Sequence, residues 1–107
     1  MEIEFFSELN DDNQVPVILN VLDINESFTI GELFSKIHEM TEIPVFRELK
    51  WGGNVEKISC SYYYKSGNEF GEFTIIENLN QKINSFPKNG FNNELSLFID
   101  GGIGLVN

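Results

Sequence analysis

The stretch SFTIGELFSKIHEMTEIP, residues 27–44, constrains the fold more than any other part of the chain. Thr29 followed three residues later by Glu32 has the spacing of a capping box, in which each side chain accepts a backbone N–H of the first helical turn. Phe28 before the cap and Leu33 inside the helix are spaced for a hydrophobic staple. Ile30, Leu33, Phe34, Ile37 and Thr41, with Met40 at the margin, form one apolar stripe, and Glu32, Lys36 and Glu39 point away from it. His38 reads as a solvated residue at the helix edge. Pro44 biases the residue before it away from helical geometry, so the helix runs over about 29–41 and ends near Thr41 or Glu42.

The segments around this helix read as strands. Residues 2–9 and 15–22 are apolar runs separated by Asn10-Asp11-Asp12-Asn13, residue types that form turns, so they predict an N-terminal hairpin. Pro16 puts the start of the second strand at a sheet edge or before pairing begins. After the helix, residues 45–51 predict a short strand that stops at Gly52-Gly53. Residues 58–65 alternate, with Ile58, Cys60, Tyr62 and Tyr64 on one face and Ser59, Ser61, Tyr63 and Lys65 on the other. A turn at 66–69 and a return strand at 70–76 make this a second hairpin. Residues 78–86 are ambiguous, readable as a short helical turn that presents Leu79 and Ile83, and 94–99 read as a last strand. Ten phenylalanines among 107 residues suit sheet faces packed on one helix. The order predicts an α+β chain of β-grasp type, with a mixed sheet, one main helix and an extra hairpin inserted around 58–76.

Charge and composition exclude several function classes. Seventeen acidic against seven scattered basic residues give a net charge of −10, the wrong sign for neutralising phosphates, so neither nucleic acid nor an anionic membrane is an expected partner. The field of such a chain steers it toward basic proteins. One cysteine, Cys60, allows no internal disulfide and suits a reducing compartment. No apolar run approaches the roughly 18 residues that span a bilayer, and the acidic start MEIEFFSELNDD is unlike a secretory signal, so a cytoplasmic protein is expected. Cys60 is the sole thiol and His38 the sole imidazole; Cys60 faces inward on its strand, and one of each falls short of a zinc set. No enzyme activity, metal or cofactor is expected.

Thr29, Ile30, Leu33, Lys36, Ile37, Ile43 and Pro44 resemble the helix and following turn of ubiquitin-like proteins in type and spacing. Residues 1–9 are similar to that family's first strand, ELKWGGN at 48–54 to its strand running into a glycine turn, and ELSLFI at 94–99 to its last strand. The resemblance covers 1–54 and 94–102 and leaves 55–93 unmatched. It implies a single domain over 1–102, a short tail at 103–107, and a protein whose work is protein binding. It also implies a conjugation handle at Gly101 and Gly102, which would need a processing protease to remove 103–107 and an activating enzyme to use the exposed glycine. Two departures stand against it: Lys50 occupies the position of the family's outward aliphatic recognition residue, and the glycine pair comes about two residues early, behind Asp100 instead of basic residues.

The candidate binding residues are therefore Lys50 and Trp51 on the strand before the glycine turn, and Tyr63, Phe70 and Phe73 on the second hairpin. Tyr63 necessarily lies on the opposite face from Tyr62 and Tyr64; either it contributes to a docking surface or the domain covers both faces of that hairpin. Two functions follow. One is a ubiquitin-like protein-binding domain, in its fullest form the precursor of a modifier. The other is a small acidic inhibitor, such as an immunity protein, antitoxin or phage antagonist, that covers a basic site on its partner.

Overall fold

The structure is a computed structural model that describes residues 1–7, 16–67 and 72–100, with the backbone alone at 47 and 49. Its elements in chain order are β1 (Glu2–Ser7), β2 (Val17–Asn20), α1 (Ile30–Thr41), β3 (Phe46–Trp51), β4 (Asn54–Ser59), β5 (Ser61–Lys65), β6 (Phe73–Ile75), a 3₁₀ turn (Ile83–Ser85) and β7 (Leu95–Asp100). Five strands form a mixed sheet in the order β2-β1-β7-β5-β6. β1 and β7 lie parallel at its centre, with Ile3 opposite Leu95 and Ser7 opposite Ile99. The other neighbours are antiparallel. One helix on a mixed sheet with this order is compatible with the β-grasp layout expected from the sequence.

The core lies between the sheet and α1. Because side chains alternate along a strand, Ile3 and Phe5 of β1 and Leu95, Leu97 and Ile99 of β7 share one face, where all are buried with Ile30, Leu33, Phe34 and Ile37 of the helix. Tyr62 and Tyr64 pack against this cluster, and the Tyr62 ring meets Phe34 at 4.3 Å between centroids.

The helix starts as the spacing predicts. Thr29 Oγ1 accepts the Glu32 N–H at 3.1 Å, and Glu32 Oε1 accepts the Thr29 N–H at 3.2 Å, completing the capping box. The remaining donors of the first turn go to a segment that local pattern left ambiguous: Ile30 donates to the Gln81 carbonyl at 2.8 Å and Gly31 to that of Leu79 at 2.9 Å. A Cβ on Gly31 would stand 3.0 Å from the Leu79 oxygen, so the absent side chain lets that carbonyl approach. Ile83 and Asn84 donate in turn to Phe28 and Glu26, and Ile83 is buried while Leu79 remains partly open.

Two expectations are corrected. The extra hairpin is not the one around 58–76, because β5 and β6 belong to the main sheet; it is β3–β4, which pairs only with itself among the described residues. Gly52 and Gly53 have φ of +54° and +81°, the backbone of a two-residue hairpin turn, so the chain reverses there instead of ending a sheet strand. Glu48 and Lys50 are exposed beside Lys57 and Val55 in the register, charged positions that suit a ribbon open to water. The predicted strand 58–65 correspondingly divides at Cys60, where its partner changes from β3 to β7.

The second correction concerns His38, which is 8% exposed instead of solvated. It follows Phe34 by one turn and so belongs to the buried stripe, while Met40 is 47% exposed.

The helix ends on Glu42, which adopts left-handed geometry at φ +59° and donates its N–H to the His38 carbonyl. Glycine takes this conformation without the Cβ penalty, and a carboxylate is poorly placed at the negative end of a helix dipole. Glu42→Gly is expected to raise stability by about 0.5–1 kcal/mol in urea unfolding; an unchanged or lower midpoint would contradict this account of the cap.

Candidate functional site: an aromatic sheet face

The face of the sheet turned away from α1 carries the other half of each strand's alternation. In register across it are Phe6 of β1 with Phe98 of β7, Phe98 with Tyr63 of β5, and Tyr63 with Ile75 of β6. Phe73 completes the group, with ring centroids 5.4 Å from Phe6 and 5.5 Å from Phe98, both edge-to-face. Tyr63 lies 5.6 Å from Phe98. Contacts of this kind each contribute roughly 0.5–1.5 kcal/mol beyond burial, so the rings hold one another in place. They are half-buried, and Ile75 and Ile18 on the same face are 46% and 51% exposed.

One end of this face is closed by an unusual polar contact. Glu4 is 3% exposed, and each of its carboxylate oxygens accepts a bond: Ser96 Oγ donates to Oε1 at 2.9 Å and the Phe91 N–H to Oε2 at 3.0 Å. A buried carboxylate is tolerated only with such donors, and this one ties the 90–94 turn to the sheet. Phe91 itself is 91% exposed on that turn.

Of the predicted binding residues, Tyr63 and Phe73 are brought together through Phe98 and Phe6. Lys50 and Trp51 are not; they sit on the β3–β4 ribbon, with Trp51 beside the glycine turn and 55% exposed. Lys50 therefore does not interrupt the sheet face, because the strand beside β7 is β5. Phe70, Gly101 and Gly102 lie outside the described residues. Phe6, Phe98, Ile75 and Glu4 complete the face, and the signal for Phe6 and Phe98 is the two-residue period that sets them opposite Phe5, Leu97 and Ile99.

On the helix side, a carbonyl only accepts, so His38 Nδ1 carries a proton toward the Ile43 oxygen at 2.8 Å, and in the neutral ring Nε2 accepts from the Tyr62 hydroxyl at 2.8 Å. Both ring nitrogens are engaged, and Cys60 Sγ donates to the Pro44 carbonyl at 3.2 Å, so no thiol–imidazole pair forms. Among the described residues no group of three His, Cys, Asp or Glu side chains is placed to hold a metal ion, and no helix is long and apolar enough to cross a membrane.

Comparison with protein-family models, curated proteins and solved structures gives no match.

Burial raises the Tyr62 phenol above its ordinary value of 10.0, with the neighbouring Cys60 adding to the shift. A phenol raised on folding contributes stability that is fully present below its unfolded value and is lost as pH rises through the folded one. The urea midpoint is therefore expected to fall above about pH 10, and Tyr62→Phe to lower stability by about 1 kcal/mol at neutral pH while flattening that alkaline decline. An alkaline decline as steep in Tyr62→Phe as in the parent chain would exclude Tyr62 as its source.

Proposed function

We propose that the protein is a ubiquitin-like β-grasp domain that works by binding another protein through the outer face of its sheet. The observation that carries this reading is the set Phe6, Tyr63, Phe73 and Phe98, packed ring against ring and continuous with the exposed Ile75. Rigid aromatic area on an open face provides contact surface with little side-chain entropy left to lose on binding. The net charge of −10 favours a partner with a basic surface. The central parallel strands and the helix α1 across one sheet face support the β-grasp part of the reading.

The modifier form of this reading assigns Gly101 and Gly102 as the processed and conjugated end, acted on by a protease and an activating enzyme. The second reading, an acidic inhibitor covering a basic site, is favoured by the same charge and uses the same face. The two part at the tail. A modifier from its native source is shortened at a glycine and appears in higher-mass conjugates, whereas an inhibitor retains Leu105-Val106-Asn107 and holds one basic partner.

The face is tested by recovering the tagged full chain with its partner from the native source, beside Ile75→Asp and Lys50→Glu variants. Ile75→Asp is expected to weaken capture at least about tenfold, as burying an unpaired carboxylate at a contact dictates, with an unchanged melting temperature. Lys50→Glu is expected to retain the partner. Equal capture by all three chains would refute the outer face as the binding site.

A further inference from the structure

The two edges of the main sheet are unlike. β6, at one edge, is three residues long and stands between the exposed carboxylates Glu72 and Glu77, features that blunt an edge against further pairing. β2, at the other, has neither protection: it lies in the chain's longest run without a charged residue, 13–22. The hydrogen bonds at its end show which backbone groups face outward. Val21 N–H donates to the Met1 carbonyl at 2.7 Å and the Met1 amine to the Val21 carbonyl at 2.9 Å, so this residue pair is a bonded one. Backbone groups of an antiparallel strand turn to alternate sides, so Val17, Leu19 and Val21 serve β1, whereas Ile18, Asn20 and the Leu22 N–H point away from the sheet. Among the described residues no backbone group meets them there. Pro16, without an N–H, closes this open edge at one end, and Asp23, at φ +58°, turns the chain away at the other.

We infer that β2 of one copy pairs antiparallel with β2 of a second copy about a twofold axis through Asn20. That register sets Asn20 against Asn20 and Ile18 against Leu22, so each outward N–H meets an outward carbonyl and the contact is the same on both partners. It also places aliphatic side chains opposite one another, Ile18 at 51% and Leu22 at 69% exposed. A mate with the same two stops fits the edge end to end.

Charge favours this meeting point for a chain of net −10, because no ionised group lies on the pairing strands. Glu2, on β1 opposite Asn20, would face its counterpart across three strand spacings, about 14 Å, beyond the screening length of about 8 Å at physiological salt. On the helix side Lys36 accompanies Glu39 and Asp23 around the hollow beside residues 20–22. Repulsion between the acidic bodies leaves the pair weak and strengthened by salt. The rotation keeps both helices on one side of a ten-stranded sheet and both aromatic faces on the other, so the pair offers two binding faces in one plane.

The full chain is followed by sedimentation from about 10 μM to 1 mM, a range that spans weak association. The expected result is a rise from monomer to dimer that moves to lower concentration as salt is raised from about 0.05 to 0.5 M. Asn20→Lys puts two ammonium groups face to face and is expected to weaken association at least about tenfold, although it lowers the net negative charge of each copy. Asn54→Lys makes the same charge change on the β3–β4 ribbon and is expected to associate at least as well as wild type. Ile18→Pro removes an outward N–H and no bond to β1, and is expected to stay monomeric; Asn20→Lys keeps the backbone and carries the test if the proline chain fails to fold. In a Cys60→Ser background, a short bis-maleimide is expected to link Asn20→Cys chains in pairs and to leave Thr74→Cys chains, marked on the β6 edge, unlinked.

A wild-type chain that stays monomeric at every salt concentration, an Asn20→Lys chain that associates as well as wild type, or linkage through Thr74→Cys in place of Asn20→Cys would overturn the inference. It stands apart from the proposed function, because the edge and the outer face are different surfaces and a monomer keeps the face open to an external partner.

Discussion

The parallel pairing of β1 with β7 is the contact on which the rest of the molecule depends. Five residue pairs join the first described strand to the last, at the middle of the sheet, so every other strand is attached outside this pair. Parallel neighbours cannot be joined by a tight turn, and the chain between them must cross over a sheet face. Here α1 lies on that face and supplies Ile30, Leu33, Phe34 and Ile37 to the same buried layer as Ile3, Phe5, Leu95, Leu97 and Ile99. The outer side of the pair sets Glu4 beside Ser96 and Phe6 beside Phe98. One register therefore organises the core, the buried carboxylate and the aromatic face together.

The two ends of the outer face are held by different physics. At the Glu4 end, directional hydrogen bonds to a desolvated carboxylate fix a turn and leave little freedom of geometry. At the Phe98 end, one edge-to-face and one tilted ring contact are restrained by shape and weak electrostatics, which tolerate small rearrangements. A face built this way keeps a rigid border beside a surface able to adjust its rings.

What the sequence made legible follows the range of each interaction. The helix was readable to within a residue at each end, because the Thr29–Glu32 box and the Pro44 stop are local. Most strands were readable from alternation. Their partners were not: a period of two is the same whether 46–51 pairs with 54–59 or with the main sheet, and similarity to the ubiquitin-like pattern at ELKWGGN favoured the wrong choice. Gly52-Gly53 held the local signal for the right one. The role of 78–84 was hidden because its carbonyls serve donors some fifty residues away, at Ile30 and Gly31. His38 and Glu4 were unreadable as buried groups for the same reason, since the Tyr62 hydroxyl that engages the one and the Ser96 and Phe91 donors that satisfy the other come from distant strands and turns. Tyr63 and Phe73 were identified, but their assembly into one surface required Phe6 and Phe98, whose strands meet only in the folded sheet.

The base of the ribbon carries a consequence for how the chain tolerates change in length. Cys60 donates its N–H to the Val45 carbonyl at 3.2 Å and its thiol to that of Pro44, so the chain leaves the body and returns to it at nearly the same point. An excursion whose ends already meet imposes little closure strain on the body, whatever its length. The ribbon is thus a graft on a self-sufficient stem: the body can accept a longer, shorter or unrelated loop at this site without a shift in the register of β5 against β7, and new binding surfaces can be exchanged there while the sheet stays as it is.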